Sequence, residues 1–337
     1  MPPTIYEVSK LAGVSLATVS RVMNNSGNVR PATRKKVEDA MKKLGYRPNS
    51  NAQSLASNRS NSVGVIVPVL SGPFYGEMLS GIQSELRAAG KHVIITTGDN
   101  EEAGEIGGVE FLLSRSCDAL ILGLDSVSDD YLVELGKKDQ TPFVVLGRQI
   151  PEIEDRCIHL DNELGGYLAT KSMLVLGHRK IAYISGPLSK DDASGRLEGH
   201  KRALEEYGLK FDSRLWFEGN FQETGGSRGM DHLLACGLPF SAVVCANDEM
   251  AAGAFRVARE RGRVIPDEIS IMGFDNVFFA PYFRPQLSTM NNPVREMGQM
   301  AARWILKEVY GQEDLVIQHR YEPTLVTRSS VSARFGP

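Results

Sequence analysis

The chain begins with the apolar spacing of two short helices joined by a tight turn. On the first helix Val8, Leu11 and Ala12 fall on one face, and on the second helix Val19 and Val22 point inward. The outward side chains of the second helix are short or polar, which would let it enter the major groove of DNA and touch base edges and phosphates. An ordinary helical hairpin has the same spacing, so this pattern alone leaves both interpretations open.

Turn and cap residues agree with this arrangement. Thr4 and Glu7 fit a capping box, in which hydroxyl and carboxylate satisfy each other's orphan amides. Gly13 stands where the turn needs a positive φ, and Ser15 can cap the second helix. A third amphipathic helix is predicted over residues 31–44, and its apolar face would close a three-helix core.

From Val63 onward, short apolar runs alternate with amphipathic helices. Alternation of this kind gives parallel sheets with helices on both faces. About ten strand candidates are more than a single hydrophobic core usually contains, so two α/β subdomains are expected. The main strand candidates are residues 63–69, 92–96, 119–122, 143–146, 157–160, 181–184, 215–217, 242–245 and 269–273.

The distribution of charge supports a division into two parts. The whole chain of 337 residues has a net charge of −3, but residues 1–60 carry ten Lys and Arg against three Asp and Glu, a charge of +7. The remainder is therefore −10. A small basic module on an acidic body is the electrostatic footprint of a DNA-binding headpiece.

Several other kinds of protein are disfavoured. No apolar run is long enough to span a membrane and the N-terminus lacks a signal-peptide layout, so a cytoplasmic protein with no membrane partner is expected. Cys117, Cys157, Cys236 and Cys245 form no CxxC pair, so no metal is expected. Residues 225–229 match GxSxG without a buried strand before them, and no phosphate-binding glycine loop is present, so neither an enzyme nor a cofactor is predicted.

Four motifs then stand in order along the first part of the chain: A-G-V-S at 12–15, T-V-S-R-V at 18–22, G-Y-R-P-N at 45–49 and A-Q-S-L-A at 52–56. They closely resemble the headpiece and hinge of the lactose-repressor/galactose-repressor family of bacterial transcription regulators. The resemblance implies a homodimer on palindromic operator DNA, with Leu55 as a wedge into the minor groove. The implied DNA-binding residues are Thr4, Tyr6, Ser15, Leu16, Ala17, Thr18, Ser20, Arg21, Asn24, Asn28, Asn49, Ala52 and Leu55.

The family's core is similar to periplasmic sugar-binding proteins, which implies two parallel-sheet subdomains and three crossings between them. Crossings are expected near residues 160–162, 290–293 and 321–324. The predicted division is a helix-turn-helix headpiece, a hinge helix with linker, an N-terminal effector subdomain and a C-terminal effector subdomain. Their bounds are 1–47, 48–62, 63–161 with 293–322, and 162–292 with 323–337, respectively.

Parallel sheets bind ligands beyond the carboxyl ends of their strands, here in the cleft between subdomains. Candidate contacts therefore follow strands or open helices at those ends, and the family's effector positions agree with most of them. Asp and Arg groups bind adjacent sugar hydroxyls in pairs, and aromatic rings stack on the C–H face. The predicted effector-binding residues are Phe74, Arg148, Arg196, Phe221, Asn247 and Asp275, with Asn292 less firmly implied.

The nature of the effector is suggested by departures from one branch of the family. The purine-repressor branch uses Arg and Thr where this chain has Lys190 and Asp192, whereas residues 154–161 resemble the galactose-repressor branch. A galactose-like neutral sugar that relieves repression of sugar-catabolic genes is therefore predicted. Two alternatives stay open: a corepressor-dependent regulator of the purine type, and a sugar-binding protein without DNA function.

Overall fold

The computed structural model describes residues 3–23, 27–46, 59–138 and 141–334. The chain divides into two compact units, Met1–Ser60 and Asn61–Pro337. Among the described residues, no helix is both long and apolar enough to cross a lipid bilayer.

The first unit is built from three helices. Helix α1 spans Ile5–Ala12, α2 spans Leu16–Met23 and α3 spans Pro31–Leu44. Gly13 (φ 66°) and Gly45 (φ 63°) end α1 and α3 in the left-handed conformation, which costs glycine little because it has no Cβ. The predicted helix-turn-helix layout is thus confirmed.

The predicted capping box is present at the start of α1. The Glu7 carboxylate accepts hydrogen bonds from the Thr4 amide at 2.7 Å and from its hydroxyl at 3.1 Å. These bonds lower the pKa of Glu7, the backbone bond being the larger cause. The Ser15 hydroxyl caps α2 by accepting from the Thr18 amide at 3.2 Å.

The core of this unit differs from the prediction at one position. Leu11 is 45% exposed, so its placement on the inner face is wrong. Ile5, Val8 and Ala12, spaced i, i+3, i+7, form the inner stripe instead, and Leu11 lies one helical step away from it. Val8 forms a small buried core with Val19, Val22, Val37 and Ala40, and Ile5 and Ala12 pack against this core.

The second unit holds two six-stranded sheets. The first contains β1 (Ser62–Val67), β2 (His92–Thr97), β3 (Ala119–Leu122), β4 (Phe143–Leu146), β5 (Cys157–Leu160) and β11 (Arg320–Tyr321). Its strands are parallel, in the order β11-β5-β4-β3-β1-β2. Its helices are α4 (Pro73–Ala88), α5 (Glu102–Ser114), α6 (Asp129–Lys138) and α11 (Val294–Glu308).

The second sheet repeats this plan. It contains β6 (Ile181–Ser185), β7 (Trp216–Glu218), β8 (Ala242–Cys245), β9 (Ser270–Asp275), β10 (Ser288–Asn291) and β12 (Thr324–Val326), in the order β12-β10-β9-β8-β6-β7. Its strands are parallel except β12, which runs antiparallel to β10. Its helices are α7 (Asn162–Val175), α8 (Asp191–Glu206), α9 (Glu223–Ala235) and α10 (Asp248–Glu260).

The chain passes between the two sheets three times, after β5, after β10 and after β11, as the sequence predicted. The two-sheet α/β fold is therefore confirmed. Several local predictions are wrong, because β1 and β9 differ in bounds from residues 63–69 and 269–273, and α8 and β7 are also displaced. Helix α8 begins at Asp191, so Arg196 lies in its second turn rather than at its start, because the polar run before Arg196 hides the helical spacing. Strand β7 lies one residue later than predicted.

Candidate DNA-reading helix and effector cleft

Helix α2 presents the predicted DNA-reading residues to solvent. Leu16 is 36% exposed, and Ala17 and Arg21 are exposed as well. The hydroxyls of Ser15 and Thr18 lie 2.9 Å apart and hydrogen bond to each other at the start of the helix. The helix therefore begins with short, uncharged side chains, and one cation, Arg21, follows them. Short side chains at the start of the helix allow close approach to base edges.

The remaining predicted DNA contacts fall into two groups. Thr4, Tyr6 and Asn28 are exposed, and Ser20 is half-buried on α2. Four others lie outside the described residues, namely Asn24, Asn49, Ala52 and Leu55.

Two adjoining cavities, of about 420 Å³ and 70 Å³, lie where loops after the strands of both sheets meet. The two cavities share Phe74, Tyr75, Lys190, Asp192 and Arg196 in their walls. The cleft predicted from the strand ends is therefore present between the lobes of the second unit, which is where this fold class binds its ligands.

All six predicted effector residues line this cleft. Arg148 lines only the smaller cavity. The larger cavity is lined by the other five, Phe74, Arg196, Phe221, Asn247 and Asp275.

The Arg196 side chain is 3% exposed. Its Nε donates to Asn162 Oδ1 at 2.9 Å, and its Nη1 donates to the Ala246 carbonyl at 2.6 Å. The guanidinium carbon lies 3.8 Å from the centroid of the Phe274 ring, and Nη2 lies 3.7 Å from Asp275 Oδ1. Arg196 is thus held rigidly, with one edge turned toward the Asp275 carboxylate.

Asp275 ends β9 with φ 99°, a conformation that costs a non-glycine residue about 1–3 kcal/mol. Asn292 Nδ2 donates to its Oδ1 at 3.1 Å. Burial raises the pKa of Asp275, while Arg196 and Asn292 oppose that rise. The buried Oδ1 of Asn292 accepts no hydrogen bond from the described residues, which leaves an acceptor in the cleft wall.

Asn247 fixes the position of Phe221 rather than standing free. Its Oδ1 accepts from the Met250 amide at 2.9 Å and caps α10, and its Nδ2 donates to the Phe221 carbonyl at 2.8 Å. Phe221 has φ 61°, and its ring packs so closely on Gly186 that a Cβ there would lie 2.3 Å from it. The aromatic wall of the larger cavity is therefore set by Asn247 and Gly186.

Most polar contacts of the Arg148 side chain lie within its own lobe. Its Nη1 donates to the Val127 carbonyl at 2.7 Å, and its Nη2 pairs with Asp129. Its Nε, which is buried without a hydrogen bond to the described residues, lies 3.6 Å from Asp191 Oδ2 in the other lobe.

Sequence reasoning missed the contact that joins the lobes across the cleft. Lys190 Nζ donates to Asp125 Oδ2 at 2.7 Å and to Asn100 Oδ1 at 2.9 Å. The Tyr75 hydroxyl also lies 3.5 Å from that Asp125 oxygen. Asp125 follows β3 as Arg148 follows β4, so the strand-end rule that selected Arg148 could have found it.

A helix-turn-helix module joined to a two-lobed α/β core with a polar cleft defines a ligand-responsive DNA-binding protein. Residues 4–49 match the lacI family of bacterial regulatory proteins, and residues 170–331 match the periplasmic binding protein-like domain. The HTH-type transcriptional regulator GalR of Escherichia coli is 39% identical over 329 residues, which span 98% of this chain and 96% of GalR. The chain therefore belongs to the LacI family of transcription regulators, which are not enzymes.

Solved structures agree with this assignment. The Lac repressor dimer bound to operator and the anti-inducer ONPF has a TM-score of 0.86 at 29% identity, covering 99% of this chain and 100% of that chain. The complex of the transcriptional regulator CelR with cellobiose has a TM-score of 0.72 at 31% identity, covering 97% and 99%, respectively.

Proposed function

We propose that the protein is a repressor of sugar-catabolic genes that binds palindromic operator DNA as a homodimer and leaves it when a small sugar enters the cleft. The observation that carries the proposal is the buried set of Arg196, Asp275 and Asn292. Arg196 provides hydrogen-bond donors, Asp275 provides a carboxylate, and Asn292 Oδ1 provides an acceptor that has no hydrogen bond from the described residues. Proteins bind neighbouring sugar hydroxyls with groups of this kind. The cellobiose complex of CelR supports a sugar as the ligand class.

The ligand acts through the two lobes in this proposal. One lobe comprises residues 63–161 with 293–322, and the other comprises residues 162–292 with 323–337. A sugar held between them favours one relative position of the two lobes. The hinge at residues 48–62 then loses its fit to the operator. The sugar shifts this equilibrium only by its difference in affinity between the two states. A galactose-like sugar and a cytoplasmic location complete the proposal, on the resemblance to GalR.

The homodimer has support in the second unit. Phe278 is 64% exposed and Tyr282 is 71% exposed, next to the half-buried Phe279 and Phe283. The ring of Phe279 contacts Phe278 edge-to-face and Phe283 at a tilt, with centroids 5.6 Å and 5.9 Å apart. Two exposed aromatic side chains this close in sequence mark an interaction surface, and we assign it to a second copy of the chain.

The test is a DNA-binding measurement with and without sugar. A duplex selected from a random library is titrated with the full chain, and anisotropy is followed as D-galactose is added. The proposal expects tight, salt-dependent binding that weakens with sugar. Binding that tightens with a ligand would favour the corepressor alternative, and the absence of any specific, salt-dependent binding would contradict the regulator.

A further inference from the structure

The cations of the cleft are paired with carboxylates of the protein before any ligand arrives. Its walls carry three cations, Arg148, Lys190 and Arg196. Against them stand six carboxylates, Asp125, Asp191, Asp192, Glu223, Glu249 and Asp275. The cleft therefore presents an excess of negative charge to an incoming molecule.

Each of the three cations has a carboxylate of the protein beside it. Arg196 faces Asp275 at 3.7 Å, and Arg148 pairs with Asp129. Lys190, like Arg196, lines both cavities, and its ammonium is bound to Asp125 at 2.7 Å.

Asp125 is held in place by a buried residue outside the cleft. Glu105, on α5, has no exposed surface, and its Oε1 accepts from the Asp125 amide at 2.9 Å. Its Oε2 accepts from the amides of Ser126 and Val127, each at 2.9 Å. A carboxylate bound to three consecutive amides fixes that loop, so the Asp125 carboxylate stays within reach of Lys190.

We propose that the cleft admits uncharged sugars and rejects phosphorylated or acidic ones, and that Asp125, positioned by Glu105, determines this choice by neutralising Lys190. This inference rests on the proposed sugar-responsive function and restricts the ligand of that function to uncharged sugars. A phosphate or carboxylate that enters the cleft must either displace Asp125 from Lys190 or stand unpaired among like charges, and both cost affinity.

The experiment compares uncharged sugars with anionic counterparts on the full chain. Thermal shift and calorimetry are run with D-galactose, D-glucose and cellobiose, then with galactose 6-phosphate, glucose 6-phosphate, galacturonate and inorganic phosphate. At least one uncharged sugar is expected to raise the melting temperature, and the anions are not. Asp125→Asn is expected to gain roughly tenfold or more in affinity for a phosphorylated sugar relative to its parent sugar, the scale of one charge-assisted hydrogen bond.

Two further variants make the test specific. Asp130→Asn, an exposed change on α6 that removes the same charge, should leave the preference unchanged. In the double variant Asp125→Asn with Lys190→Met, the gain for anions should disappear, because the freed ammonium is its source. A gain that persists without Lys190, or that Asp130→Asn reproduces, overturns the proposal.

Failure of this inference is distinguishable from failure of the proposed function. A wild-type protein that releases operator DNA in response to a sugar phosphate, and binds that ligand at least as tightly as the parent sugar, overturns the inference and leaves the sugar-responsive regulator intact. Binding of no uncharged sugar at all also overturns it. A protein that selects uncharged sugars yet binds no operator supports the inference and contradicts the function.

Discussion

The guanidinium of Arg196 and the carboxylate of Asp275 lie 3.7 Å apart, with side chains that are 3% and 7% exposed. They come from different elements, α8 and the end of β9, and meet in the wall of the cleft. Since both charges are buried, each side chain needs the other, and a ligand that binds between the lobes meets them as one unit.

Asp275→Asn should weaken sugar binding by about ten- to a hundredfold, since it removes one charged acceptor of hydroxyl groups. Operator affinity without sugar should stay unchanged. Calorimetry with the sugar and anisotropy with the operator measure the two effects separately. The exposed change Asp314→Asn is the matched control. Equal loss of both affinities would indicate a structural role for Asp275 instead.

Arg196→Met should lower the free energy of unfolding of the second unit by about 3–5 kcal/mol, because Asp275 is left buried and unpaired. Urea unfolding followed by the fluorescence of Trp216 and Trp304 reports this unit. Arg202→Met, on the same helix but 48% exposed at its side chain, should cost less than about 1 kcal/mol. Similar losses for the two variants would show that the Arg196 pair has no special stabilising role.

Ionisation of Asp248 should lower the stability of the second unit as pH rises from about 4 to 8. Burial raises the pKa of Asp248 from 3.8 to about 8, and the Asp275 charge adds to that rise, while Thr289, the Val277 amide and Arg328 oppose it. At Asp248 the folded state therefore holds one more proton than the unfolded state in this window, and this group lowers the free energy of unfolding by up to about 1.4 kcal/mol per pH unit.

Asp248→Asn should flatten this pH dependence, because the amide does not titrate. Urea midpoints between pH 5 and 9 measure the slope, and exposed Asp267→Asn should keep the wild-type slope. An Asp248→Asn protein with the full wild-type slope would assign the titration to another group.

Gly13→Ala should destabilise the first unit by about 1–2 kcal/mol, since its φ of 66° is left-handed and unfavourable for any residue with a Cβ. Gly107 on α5 offers a matched comparison, because a Cβ meets nothing within 4 Å at either site. Gly107→Ala should stabilise its helix by about 0.5–1 kcal/mol. Hydrogen exchange of peptides from each unit measures both, and changes of the same sign would refute the backbone argument.

Replacing Phe278 and Tyr282 together by Ser should raise the dimer dissociation constant at least about tenfold, as expected when exposed aromatic anchors of an interface are removed. Sedimentation velocity over a range of protein concentrations measures this constant. Val316→Ser alters a residue that is 84% exposed and serves as the control. A dimer that survives the double change would place the interface elsewhere.

Strands buried on both faces were easy to predict from the sequence. The bounds of β3, β4, β5 and β8 match the predicted runs, since these strands are apolar at every position except His159. Strand β10 was missed because Ser288 and Thr289 are polar although fully buried. Thr289 is satisfied by donating to Asp248 at 2.6 Å, a partner that local patterns do not reveal.

The candidate site was predictable to the extent that it follows from strand ends. That rule selected Arg148, Asn247 and Asp275, and all three line the cleft. The Lys190–Asp125 pair was not found, because it depends on how two lobes meet rather than on either segment alone. Sequence periodicity predicts single helices and strands, and it carries no information on contacts between lobes.

The first sheet is completed by a strand that lies far along the chain from its other strands. Strand β11 and helix α11 lie within residues 294–321, whereas the three helices of the first unit lie within the first 44 residues. On the ribosome, the helix-turn-helix can therefore fold early, whereas the first sheet can be completed only after residues 294–321 have been made. A chain that stops before residue 294 would carry the DNA-reading helix but no complete cleft, so it could not respond to a ligand there.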